Sequence, residues 1–384
     1  MRVLFLAPLK PPDDPVPSGD RTMARLFARL LGRLGYEVEL ATRLRAHVPV
    51  PTPERWAGLT AAAAAETARL LAAERGRTPP ACVFTYHNYY KAPDLVGPAL
   101  AAALGVPYVI AEAARKPSRA QGAFAEGHHL ADAAIARARL LLLLTARDRE
   151  MLEPVAPPGQ RLVDLKPFID PGDWPGAGAP AATGEGAPRL VTVAMMRRGD
   201  KLASYRQLGT ALAQVAHPDW RLDVVGDGPA REEVAAILAP FGDRVRLLGE
   251  MSDRAALGSL LRAARLFVWP GVNEAFGAVF LEAAAHGLPS VAAAYGGIPE
   301  VVQHGVTGLL TPEGDTGALA GAIDRLLADE TTRATMAAAA AGFVARERSL
   351  EAAASIVAAA FAATGIPRPD QGRGKALDLG NDAA

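Results

Sequence analysis

Short apolar runs, separated by longer stretches at helical spacing, constrain this chain more than any other feature. Runs at 3–7, 36–41, 81–86, 107–111 and 140–144 read as strands, and a second series at 189–194, 221–225, 244–248, 265–269 and 290–294 repeats the pattern. Continuous rather than alternating apolar runs belong to strands buried on both faces, as in parallel sheets covered by crossover helices. Between the first two runs, Met23, Leu26, Phe27, Leu30, Leu31 and Leu34 fall on one helical stripe, so a helix is expected to start near 18–20. Further helices are expected over 53–74, from 93–94 up to Gly105, over 121–138 and 204–216, from Pro229 and Ser252, over 316–328, and along the Ala-rich segment 334–363. Thr145, with Asp148 three residues on, is a helix start signal.

A chain of 384 residues suggests two domains. The Gly-, Pro- and Ala-rich stretch 170–188 separates the two series, so the expected domains are 1–169 and 189–347, joined by that linker. The tail 365–384 is rich in Pro, Gly and polar residues and is expected to be disordered. Lys plus Arg and Asp plus Glu both number 41, which argues against a nucleic-acid partner. The single cysteine, Cys82, sits in an apolar run and reads as buried filler. No apolar run approaches the roughly 20 residues a spanning helix needs, and the first residues read as a strand rather than a signal peptide. A cytoplasmic protein is therefore expected. Arg21, Arg25, Arg29 and Arg33 form a stripe on one helix, which could meet an anionic membrane at its inner face or be an ordinary solvated surface. No Asp-x-Asp occurs, and His128 and His129 are adjacent with diverging side chains, so no metal site and no cofactor are expected.

The densest chemistry lies in 269–310. Glu274 precedes a helix start at Phe276 and Gly277, and Glu282 lies inside that helix, about 7–8 Å along its axis. Gly287 and Pro289 end the helix. Unpaired backbone N–H groups and the positive end of the dipole at Gly277 suit a phosphate, which glycine lets approach closely. Carboxylates flanking a phosphate accept from hydroxyls, so a sugar on one side of a diphosphate and a ribose on the other would fit.

This stretch resembles the signature of family 4 of the retaining glycosyltransferases. The family's string of E-x-F-G, a second Glu, E-A-x-A-x-G-x-P, G-G-x-x-E and G-x-T-G-x-L is matched by Glu274, Phe276, Gly277, Glu282, Ala283, Ala285, Gly287, Pro289, Gly296, Gly297, Glu300, Gly305, Thr307, Gly308 and Leu310. The resemblance implies the α/β GT-B fold: two Rossmann-like doubly wound domains facing a cleft, with a last helix at about 348–363 returning to the first domain. It implies transfer of a hexose with retention from a UDP- or GDP-sugar to the hydroxyl of a sugar or lipid-linked acceptor, in polysaccharide or glycolipid assembly. A nucleotide-sugar-binding module without catalysis and an epimerase acting on the donor are the alternatives.

Several site residues follow from the resemblance. Gly226 and Gly228 match a G-x-G-P turn near the donor nucleotide, and Met251 follows the base-binding edge. Gly296 and Gly297 form a donor loop. Gly19 stands where the family has a Gly-Gly pair, although the chain reads Ser18–Gly19–Asp20 there. Lys201 matches the family's diphosphate-neutralising lysine. Met195 replaces the accompanying arginine and Leu202 the following glycine, so Arg197 or Arg198 is expected to supply the guanidinium. Glu112 follows a strand that begins after Gly105–Val106–Pro107, where many relatives carry a histidine facing the transferred sugar. It is either a catalytic carboxylate or a structural one.

Overall fold

The computed structural model describes residues 1–16, 18–178, 187–369 and 377. Part of the expected linker (179–186) and most of the expected disordered tail (370–376 and 378–384) lie outside the described residues. The chain divides into two compact units, the first made of 1–166 with the described residues 351–369, the second of 167–350.

The first unit holds one six-stranded sheet of β1 (Arg2–Leu6), β2 (Glu37–Leu40), β3 (Val83–Tyr89), β4 (Tyr108–Ala114), β5 (Leu140–Leu143) and β6 (Arg161–Asp164), in the order β2-β1-β3-β4-β5-β6. All its pairings are parallel. Helix Gly19–Arg33 follows β1, with Ser18 accepting from Arg21 N at its start, and it buries Met23, Leu26, Phe27, Leu30 and Leu31. Thr145 and Asp148 form a complete capping box on helix Ala146–Leu152. Helix Leu350–Ala363 belongs to this unit: Phe361 meets Tyr36 edge-on at 5.8 Å, and Arg139 donates to the Thr364 carbonyl at 3.0 Å. Cys82 is fully buried.

The second unit's sheet contains β7 (Arg189–Val193), β8 (Arg221–Val225), β9 (Val245–Gly249), β10 (Leu266–Val268), β11 (Ser290–Ala293) and β12 (Gly308–Thr311). Its order, β12-β11-β10-β7-β8-β9, is the Rossmann order 3-2-1-4-5-6 read from the other edge. Strand direction of growth reverses between β7 and β10. In such sheets the loops after the two strands at the reversal splay apart and leave a crevice at their carboxyl ends. The equivalent reversal in the first unit lies between β1 and β3.

Four local expectations are corrected. The helix expected over 204–216 spans Asp200–Leu212. Ser204 looks like a cap in sequence, but it is buried inside the helix, donating to Asp200 O and accepting from Val272 N. The Ala-rich 334–363 is two helices, Glu330–Glu347 and Leu350–Ala363, broken where Ile169 pairs with the backbone of Arg348 and Ser349. Strands β3 and β4 run on past the ends expected at 86 and 111. The arginine stripe is not a free basic face: Arg21 is buried, Arg25 donates to Pro12 O at 2.6 Å, and Arg33 pairs with Glu351 at 2.7 Å. Among the described residues, no helix is long and apolar enough to cross a membrane.

Candidate functional site

The reversal point of the second unit gathers residues that are far apart in sequence. Lys201 lies in the first turn of helix Asp200–Leu212, after β7, and Glu274 lies in the loop after β10. Their side chains meet at 2.5 Å, and Lys201 also stands 5.6 Å from the Trp269 ring. The two loops are clasped twice more, by Asn273 Nδ2 donating to Asp200 and by Val272 N donating to Ser204 Oγ. Asn273 adopts φ +50°, rare for a residue with a side chain, so its carboxamide is held in position at a local cost.

Helix Ala278–Ala285 begins at this place. Gly277 is its left-handed N-cap, no side chain caps it, and Phe276 is buried beside it. Its first N–H groups therefore keep their capacity for an outside acceptor. The Gly296–Gly297 turn presses against the same loop: a Cβ on Gly296 would come within 2.1 Å of the Glu274 carbonyl, and Gly297 N donates to that carbonyl at 3.3 Å. Glu274, Gly277, Gly296, Gly297 and Lys201 thus form one cluster.

Gly226 and Gly228 stand where two loops touch. Cβ atoms there would lie 2.0 Å from Ala194 O and 2.4 Å from Met196 O. They let the loop after β8 lie flat on the loop after β7, bonded through Met196 N to Asp227 O and Ala230 N to Met196 O. Close backbone packing is sufficient to require both glycines. Met251 lies just beyond β9, half-buried. At Gly19, in the first unit, a Cβ would meet nothing within 4 Å, so local packing does not demand glycine there.

The two arginines differ in their partners. Arg198 pairs with Glu233 at 3.0 Å, whereas Arg197 is exposed and has no ion pair among the described residues. Met195 is 40% exposed and Leu202 is buried, so the two departures from the family string leave the loop well formed.

Residues 187–329 match the family model described as Glycosyl transferases group 1. A D-inositol 3-phosphate glycosyltransferase of Mycobacterium is 41% identical over 173 residues, covering 43% of this chain and 38% of that protein. The matched segments make up between 20% and 39% of the first curated relatives' length. Over the chain as a whole the fold is GT-B. Sucrose-phosphate synthase from Thermosynechococcus elongatus matches with a TM-score of 0.70 at 19% identity, covering 94% of this chain and 99% of its own. Anabaena HepE in complex with UDP and glucose matches with a TM-score of 0.67 at 19% identity, with the same coverage.

Within the matched segment, Glu282 lies on helix Ala278–Ala285 and its carboxylate has no hydrogen-bond partner among the described residues. Burial pushes its pKa up to about 7, with Arg254 offsetting only part of the effect. The folded state therefore holds this proton more tightly than the unfolded chain. Its effect on stability is absent below the ordinary value of 4.5, and stability falls as pH rises from 4.5 to 7. With 1.4 kcal/mol per unit, discounted for partial solvent access, the loss is about 2 kcal/mol. Glu282→Gln is expected to melt about 4–8 °C above wild type at pH 8 and level with it at pH 5. Scanning calorimetry of the ligand-free protein at both pH values checks this, and an equal difference at the two would overturn it.

A second cluster sits at the reversal point of the first unit. His87 in β3 and Glu112 in β4 lie side by side, between the paired positions Tyr86–Ala111 and Asn88–Ala113. Both have positive φ, +62° and +59°, so each drops out of the ladder and turns its side chain at the same level of the sheet. His87 Nδ1 is 3.1 Å from Asp20 Oδ1, on the first turn of helix Gly19–Arg33. Glu112 Oε2 is buried without a partner. Burial raises the Glu112 pKa, offset in part by His87 and the Tyr86 hydroxyl. For His87 burial works downward, but Glu112 and Asp20 outweigh it and raise the imidazole.

Glu112, expected just past a strand end, lies inside β4, and the sequence reading missed His87 and Asp20. The signal was available: Asp20 stands in the departure from Gly-Gly, and His87 interrupts an apolar strand. His128 is buried and His129 exposed, and no group of three or more His, Cys, Asp or Glu is arranged to hold a metal among the described residues.

Proposed function

We propose that the protein is a retaining glycosyltransferase that moves a hexose from a nucleotide-diphosphate sugar to an acceptor hydroxyl. The observation that carries this is the Lys201–Glu274 cluster at the β7/β10 reversal of a group 1 glycosyl transferase domain. Lys201, Arg197 and the N–H groups that follow Gly277 receive the diphosphate, a fork and a point charge on either side of a helix end. Glu274 accepts from sugar hydroxyls and Glu282 from the ribose. Phe276, Gly296 and Gly297 shape the sugar pocket, and Met251 lies at the base edge. Anabaena HepE, solved with UDP and glucose, supports a uridine donor.

In the transfer, the acceptor oxygen bonds to the anomeric carbon as that carbon's bond to the phosphate oxygen breaks. The leaving diphosphate takes the hydroxyl proton on the same face, and the protein supplies positioning and charge stabilisation. The cationic set stands where a bound metal would otherwise balance charge, so activity is proposed to need no divalent cation. Polysaccharide or glycolipid assembly is the setting proposed for the reaction.

The test is incubation with UDP-glucose, UDP-N-acetylglucosamine and GDP-mannose in EDTA, following release of the nucleoside diphosphate and of any isomerised sugar. Slow release with one donor, unchanged by EDTA, is expected. Activity lost in EDTA and restored by Mg²⁺ or Mn²⁺ would overturn metal independence. No release together with no calorimetric binding of any nucleotide would overturn the function itself.

A further inference from the structure

The end of β3 and the loops after β3 and β4 carry a row of rings that the donor site does not use. His87 and Tyr89 lie 4.7 Å apart between centroids, Tyr89 and Tyr90 5.4 Å, and Tyr90 and Phe124 5.1 Å. The row is about three ring spacings long and runs outward from the Glu112–His87–Asp20 cluster. Each ring beyond His87 is half-buried, leaving part of its surface to solvent. The backbone beneath is fixed: a Cβ on Gly127 would lie 2.1 Å from Tyr90 O and 2.6 Å from the Trp56 ring.

The far end of the row is cationic. Lys91 Nζ stands 5.7 Å from the Tyr90 centroid and 5.6 Å from that of Phe124, and the Arg119 guanidinium stands at the same two distances. Neither is paired with a carboxylate among the described residues. A cation lying over a ring is held in place without being neutralised, so its charge stays available to an anion. Lys116 adds a third exposed charge on the same loop. Across the row, Val48 N donates to Lys91 O, and the neighbouring His47 imidazole is lowered first by burial and then by Arg45 and Lys91. The two acids of the row, Asp20 and Glu112, are both at the opposite end.

We infer that this row binds the acceptor, and that the acceptor is an anionic saccharide. Its reacting hydroxyl lies at His87 and Glu112, its sugar face lies on Tyr89 and Tyr90, and its phosphate or carboxylate lies between Lys91 and Arg119. Aromatic faces take the apolar side of a sugar ring, and a row graded from acid to base admits such a molecule in one direction only. The inference rests on the transferase reading for the identity of the ligand as acceptor; the site itself stands on the first unit alone.

The test is calorimetric titration of the full chain with glucose, glucose 1-phosphate, glucose 6-phosphate and glucuronate, alongside UDP and GDP. At least one anionic sugar is expected to bind 10-fold or more tightly than glucose, weakening as salt is raised. Phosphates and the carboxylate in the panel distinguish the two anion types. Arg119→Gln, at an exposed position, should lose that preference by 10-fold or more with nucleotide affinity unchanged, and Lys91→Gln should do the same. Equal binding of glucose and the anions, no anion bound, or preference intact in both variants would overturn the site. Nucleotide binding without anion binding would reject this inference alone, and anion binding without nucleotide binding would reject the transferase reading alone.

Discussion

Lys201→Ala is expected to lower kcat/KM for the donor by about 10²–10³-fold, the scale of one removed charge-stabilising group. Lys201 sits in the first turn of a helix, at the crevice where β7 and β10 diverge, and in the ligand-free protein its ammonium is held by Glu274. A diphosphate gains negative charge as the sugar leaves, so the ammonium is worth more in the transition state than in the ground state. The ion pair itself is partly exposed, 27% and 19% for the two side chains, and contributes only about 1 kcal/mol to the fold. Activity and stability therefore separate. The variant should melt within a few degrees of wild type, and UDP or GDP should bind more weakly by calorimetry. An unchanged kcat/KM would remove Lys201 from the site. Arg198, already engaged by Glu233, provides the comparison: Arg198→Ala should leave donor turnover near wild type, whereas Arg197→Ala should not.

Glu112→Gln is expected to lower kcat by about 10²-fold, the contribution of one well-placed acid–base group, with nucleotide affinity unchanged. Glutamine keeps the shape of the side chain but cannot hold the negative charge that faces His87. The pH profile separates a chemical role from a packing one. Burial raises the Glu112 pKa, so its active carboxylate form is gained as pH rises, giving the wild-type kcat an acidic limb above the ordinary carboxylate range. The variant should lose that limb. If kcat stays at the wild-type level and the limb persists, Glu112 belongs to the architecture of β4 and the catalytic role is withdrawn. The two backbone positions with φ near +60°, at His87 and Glu112, favour the chemical role, because strain held side by side on neighbouring strands serves to aim side chains.

Much of this molecule was readable before any coordinate was known. Helices Pro53–Glu74 and Thr316–Ala328, strand β8 and the Thr145–Asp148 box stand where local pattern put them. Gly105 and Gly287 take the left-handed conformation at φ +66° that a helix end asks of glycine. The strands that escaped detection, β6 (Arg161–Asp164) and β12 (Gly308–Thr311), are four-residue strands at sheet edges; in β6, solvent on one side relaxes the demand for apolar residues.

The sequence alone determined most of the elements and the glycine-and-glutamate string, because helix and strand periods, caps and turns are set by neighbours a few residues away. Tertiary structure alone decided which groups meet. Lys201 and Glu274 are 73 residues apart, His87 and Asp20 67, and Arg198 and Glu233 35. It also decided that Gly226 and Gly228 serve the packing of two loops, and that the arginine stripe on helix Gly19–Arg33 is bound to its own unit. Each of these depends on strand order, which places the ends of β7 beside β10 and of β1 beside β3. Strand order depends on how crossover connections pack over whole sheets, and no local pattern of residues encodes the resulting pairing of charges.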